Sequence, residues 1–218
     1  MDVIDDVIKK LKQPLKLFEA SKYVSIDLSV TNKRFSKVDL NSVESFSAYI
    51  NDFLDTHEAE VAYGGYLEER HIYKRSTYFL ENNSEARNIH LGVDFWCPAN
   101  TPILTPIQGK IHSFKNNRNF GDYGPTIILQ HELDEHKFYT LYGHLSEDSI
   151  AHISIGQTFQ QGEVLGRLGD AYVNGNYPPH LHFQLIKDIQ GFCGDYPGVC
   201  SKQTLAFYAK NCPNLKFC

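Results

Sequence analysis

The sequence predicts a mainly β fold with helices at its N-terminal end, an α+β chain, and three observations carry that prediction. Before about residue 60 the apolar residues recur at helical spacing. After Val61 the chain turns into short runs rich in β-branched and aromatic residues. Glycine, proline and acidic turn signals punctuate those runs at close intervals, the pattern of a small antiparallel sandwich or barrel.

The elements follow in order. Val3, Ile4, Val7, Ile8 and Leu11 place a helix within residues 2–20, ended or kinked near Pro14. Val43, Phe46, Ile50, Phe53 and Leu54 form the stripe of a second helix, and Asn41 with Glu44 reads as its capping box. VAYGGYLEER and HIYKRSTYF read as two strands, and residues 102–114 as two short strands about a Pro-Ile-Gln-Gly turn. Residues 125–131 and 137–144 form a hairpin around an acidic turn. Residues 156–169 hold short strands between glycines, PHLHFQLIK is a last strong strand, and SKQTLAFYAK is a short helix. The expected organisation is an N-terminal helical segment over 1–60, a β-rich unit over 61–190 and a cysteine-containing tail over 191–218. The amphipathic helices are expected to cap the sheet.

Composition narrows the function. A net charge of −5 without a basic patch gives no footprint for nucleic acid. No apolar run is long enough to span a membrane. The acidic, interrupted start does not read as a secretory signal, so the expected location is the cytoplasm, or the periplasm or cell wall for a mature or otherwise exported form. Five cysteines without a C-x-x-C read as reduced thiols, with Cys193–Cys200 the pair to bridge in an oxidising compartment.

The chemistry sits in two stretches. In NIHLGVDFWC, Gly92 and the bulky run after it argue for extended backbone, where an offset of four returns to one face and brings His90 and Asp94 together. In PHLHF, His180 and His182 share a strand face, and two polar rings there are costly to bury without a metal or substrate. Catalytic zinc takes three His, Asp or Glu ligands and keeps one position open, a requirement met by His90, Asp94 and one of His180 and His182. Cys97 lies at an odd offset from Asp94 and faces away. His144 closes the strand of LYGHLS at a cleft. His57, His71, His131, His136 and His152 read as surface or satisfied core residues, as does His112.

H-x-x-x-D, a Gly-His after an aromatic-rich strand, and H-x-H, in that order, resemble the lysostaphin-type zinc metalloendopeptidases, which include the LytM-like enzymes. The resemblance runs over residues 85–187 and includes GQTFQQGEVLGRLG before the H-x-H strand. It implies the duplicated hybrid β fold with a zinc groove, one zinc held by His90, Asp94 and His182, and His144 and His180 as the two catalytic histidines. It also implies hydrolysis of a peptide bond in peptidoglycan stem or cross-bridge peptides, or in a small peptide. Some such enzymes add an upstream tyrosine, but Tyr78 does not match the spacing. The alternatives are an inactive relative that binds or activates a partner, a histidine phosphocarrier-like domain, and a module with a purely structural zinc.

Overall fold

The computed structural model of the protein describes residues 15–75 and 86–214. An eight-stranded sheet organises it. In chain order the elements are β1 (Tyr23–Ser25), α1 (Val43–His57), β2 (Val61–Gly64), β3 (Ile89–His90), β4 (Val93–Trp96), β5 (Pro102–Leu104) and β6 (Gly109–Asn117). They continue with β7 (Gly124–Leu133), β8 (His136–Gly143), α2 (Asp148–Ala151), β9 (Thr158–Phe159), β10 (Val164–Arg167), β11 (His180–Ile186), β12 (Val199–Cys200) and α3 (Leu205–Asn211).

The large sheet has the order β1-β2-β4-β11-β8-β7-β6-β9, while β5 pairs with β10 and β3 with β12 in two small sheets. Pairing is antiparallel throughout except between β1 and β2. The mainly β prediction holds, but the sheet is open: no closed barrel forms among the described residues.

The period of two along each strand divides the sheet into two faces. Val93, Phe95 and Cys97, with Leu181, Phe183 and Leu185 and with Phe138 and Tyr142, bury against one apolar core. The opposite face carries Asp94 and Trp96 from β4 and His180, His182 and Gln184 from β11. Two other apolar clusters flank that polar strip. One joins α1 to Trp96 through Phe46, at a ring separation of 5.2 Å. The other gathers Ile128, Leu141, Ile186 and Tyr196 beneath the tail, with Tyr208 of α3 packed against it.

Several local expectations are corrected. Residues 1–14 lie outside the described residues, and residues 15–20 are not helical. Leu15, Leu17 and Phe18 instead insert into the main core, where burial outweighs any helical continuation past Pro14. The cap of α1 is Ser42, not Asn41: its Oγ accepts the Ser45 N–H at 3.0 Å and donates to Glu44 at 3.0 Å. HIYKR forms a 3-10 turn over Ile72–Arg75 rather than a strand, and the rest of that run, with Tyr78, lies outside the described residues. The stretch before residue 60 also holds β1, an edge strand of the large sheet, beside its helix. Cys97, Cys193, Cys200 and Cys212 are free thiols.

Candidate metal centre

The register of β4 and β11 builds the centre. His182 lies directly opposite Asp94, and His180 opposite Trp96. Directly opposed residues hold their Cβ atoms about 5 Å apart, close enough for an imidazole and a carboxylate to meet. His90 arrives differently from the expectation of one continuous strand. The chain breaks at Leu91-Gly92, so His90 belongs to β3 and pairs with Val199 of β12, while Asp94 belongs to β4. Gly92 makes the close passage workable, since a Cβ there would lie 2.6 Å from the His182 ring.

The result is a buried triad. Asp94 Oδ1 lies 3.1 Å from His90 Nε2 and 3.1 Å from His182 Nδ1, and the two ring nitrogens are 2.8 Å apart. These three side chains form a cluster able to hold a metal ion.

Hydrogen bonding decides where the ring protons sit. His90 Nδ1 is 2.9 Å from the carbonyl of Gly65, which only accepts, so Nδ1 carries the proton. Gln184 donates its amide to the carbonyl of Pro197, which turns its Oε1 toward His182 Nε2 at 2.9 Å. His182 therefore carries its proton on Nε2. Two bare nitrogen lone pairs and a carboxylate oxygen then face one another with no proton between them. Burial holds His90 down to about 4, so protonation of that ring does not relieve the repulsion near neutral pH. Burial pushes the Asp94 carboxyl up, but the Arg70 guanidinium on Oδ2 opposes it, and the carboxyl lies well below the usual carboxylate range. A divalent cation satisfies all three donors at once, and an N/O set of this kind fits zinc.

Beside the triad, His144 and His180 form a second pair with ring centroids 4.1 Å apart. His144 follows the end of β8 with φ 64°, a left-handed conformation that a non-glycine residue adopts at a cost. Its Nδ1 donates to the carbonyl of Asn174 at 2.8 Å. His180 Nδ1 donates to the carbonyl of Pro178 at 2.8 Å, and Trp96 stacks on the His180 ring at 4.1 Å. Both rings thus present bare Nε2 atoms. Burial lowers the pKa of His180 to about 4 and, with His180 and His182 nearby, that of His144 well below the ordinary value. All five residues line one cavity of about 160 Å³. Cys97 stays in the apolar core on the far side of β4.

Sequence reasoning did not reach Arg70, Tyr123, Gln184 and Gly65. Gln184 was within reach: HLHFQ places it two residues beyond His182 on the same face. Tyr123, whose hydroxyl is 3.4 Å from His182 Nε2, comes from a loop with no local signal.

Residues 88–192 match the model of Peptidase family M23. This segment belongs to that family. An uncharacterized metalloprotease of Buchnera aphidicola subsp. Baizongia pistaciae is 25% identical over 206 residues, 84% of this chain and 51% of that protein. The peptidoglycan DD-endopeptidase ShyA of Vibrio cholerae serotype O1 is 33% identical over 98 residues, 44% of this chain and 20% of that protein. The L-Ala--D-Glu endopeptidase of Bacillus subtilis is 29% identical over 119 residues, 52% of this chain and 34% of that protein. The chain therefore spans about half the length of the first of these relatives and less of the others.

Proposed function

We propose that the chain is a zinc-dependent endopeptidase acting on peptidoglycan peptides, with His90, Asp94 and His182 as metal ligands and His144 and His180 as catalytic histidines. One observation carries the reading: three proton-free donor atoms converge beside two further histidines whose Nε2 atoms are bare. Bound zinc supplies Lewis acidity that activates water near neutral pH and polarises a carbonyl. The neutral rings of His144 and His180 are poised to do the rest. One Nε2 accepts the proton lost by the attacking water and delivers it to the leaving amine. Until it gives that proton up, the same protonated ring can donate it to the oxygen on which negative charge develops. Carbonyl anchoring at both Nδ1 atoms holds the rings in the tautomer this requires. On this reading residues 61–190 are the catalytic unit, and Leu28, Phe35 and Phe46 before it and Tyr196 and Val199 after it help line the groove.

The family match and the names of the Vibrio and Bacillus relatives support a peptidoglycan peptide as substrate. A phosphocarrier role is disfavoured because the Asp94 carboxylate, 3.1 Å from two of the rings, would repel a phosphoryl group. The test is zinc content by elemental analysis together with digestion of purified muropeptides followed by mass spectrometry. Wild type should hold about one zinc per chain and cleave. Asp94→Ala should lose both zinc and cleavage, and His144→Ala should keep zinc and lose cleavage. Stoichiometric zinc in Asp94→Ala would sink the ligand assignment. Zinc without cleavage in wild type would favour a binding module.

A further inference from the structure

The metal ligands are oriented by a turn that lies outside the family segment. Gly65, Glu68 and Arg70 all precede residue 88, where that match begins. Arg70 is 4% exposed and lies between two carboxylates. Its Nη1 donates to Asp94 Oδ2 at 2.5 Å, and its Nε donates to Glu68 Oε2 at 2.5 Å. The other oxygen of Glu68 accepts the backbone N–H of Leu28 at 3.0 Å. A hydrogen-bonded relay thus runs from the N-terminal segment through Glu68 and Arg70 to the carboxylate of the triad. The same turn supplies the Gly65 carbonyl that anchors His90. Gly65 has φ 97°, and a Cβ there would run into the Arg70 guanidinium.

We infer that Arg70 is a positioning residue for the metal centre: by holding Asp94 Oδ2 it leaves only Oδ1 facing the cation, and it sets cation affinity through orientation rather than through its charge. The inference rests on the metal-site reading above. Two effects of the guanidinium oppose each other, which makes the sign of the result informative. As a positive charge near the site it repels a cation, so removing charge alone tightens binding. As an anchor for a ligand it preorganises the site, and losing such a partner weakens metal binding by roughly 10–100-fold. A lysine keeps the charge, but its single ammonium cannot reproduce the planar fork that bridges Glu68 and Asp94.

The experiment is zinc affinity by competition with a chromogenic chelator in wild type, Arg70→Lys and Arg70→Gln. The visible spectrum of each cobalt-substituted protein serves as a second readout of ligand geometry. Both variants should bind zinc roughly 10–100-fold more weakly, with altered cobalt bands. Wild-type affinity in Arg70→Lys together with tighter binding in Arg70→Gln would show that charge alone matters and overturn the inference. Removing one member of a buried pair can prevent folding, so the double variant Glu68→Gln/Arg70→Met, which removes both charges at positions 68 and 70 and leaves Asp94 to be neutralised by the cation, is refolded with zinc present and measured alongside. It too should bind zinc more weakly, and unchanged affinity in that folded variant would equally overturn the inference. Failure of wild type to take up zinc would instead remove the metal reading and this inference with it.

Discussion

Acidification should expose the cost of burying His131, and the structure fixes its size. His131 is 2% exposed on β7, stacked on Phe138 at 4.9 Å. Its Nδ1 donates to the carbonyl of Gln108 at 2.8 Å, and its Nε2 accepts the hydroxyl of Thr140 at 2.7 Å. Both ring nitrogens are used by the neutral form. Burial lowers the pKa to about 4, against an unfolded value of about 6.5. Above pH 6.5 neither state is protonated and the residue adds no pH dependence. Below it the unfolded chain takes up a proton that the folded chain refuses, so stability falls until about pH 4, where the folded ring protonates as well. At pH 4.5 the accumulated loss is about 2.5 kcal/mol. The assay is urea unfolding of wild type and His131→Asn at pH 7.5 and 4.5, with a chelator present. The variant starts lower at pH 7.5, having lost two hydrogen bonds, but should lose about 2.5 kcal/mol less on acidification. The other buried histidines titrate alike in both proteins and cancel. Equal acid losses in the two proteins would refute the assignment of His131 as a buried neutral ring.

Two further outcomes follow from the site. Trp96→Leu removes the surface on which His180 stacks and opens space beside Phe46; it should cost about 2–4 kcal/mol in denaturant melts and lower the cleavage rate while zinc content stays at the wild-type level. Gln184→Leu deprives His182 Nε2 of its acceptor and should weaken zinc binding roughly 10-fold in the chelator competition; unchanged affinity would show that the amide does not set the tautomer.

Much of the site was legible in the sequence because short-range geometry carries it. Period-two alternation alone put His180 and His182 on one face and sent Cys97 away from Asp94, and both hold in the structure. The β-rich texture after Val61 and the helix over Val43–His57 were likewise legible, since turn residues and apolar spacing act over a few residues. His90 was placed beside Asp94 by treating the segment as one strand, whereas the structure joins them across a break at Gly92, where β3 leaves to pair with β12. Only the tertiary structure decided which strands are neighbours. The β4–β11 register that sets Asp94 against His182 spans 88 residues of chain, a pairing that no local pattern encodes. The same holds for Arg70 and for the carbonyls of Gly65, Asn174 and Pro178. Backbone acceptors leave no mark in residue type, and a buried arginine reads in sequence like any exposed one. Residue identity determined which chemistry the chain can support. Long-range strand pairing and desolvation determined that these donors meet, lose their protons at defined atoms and face a common cavity.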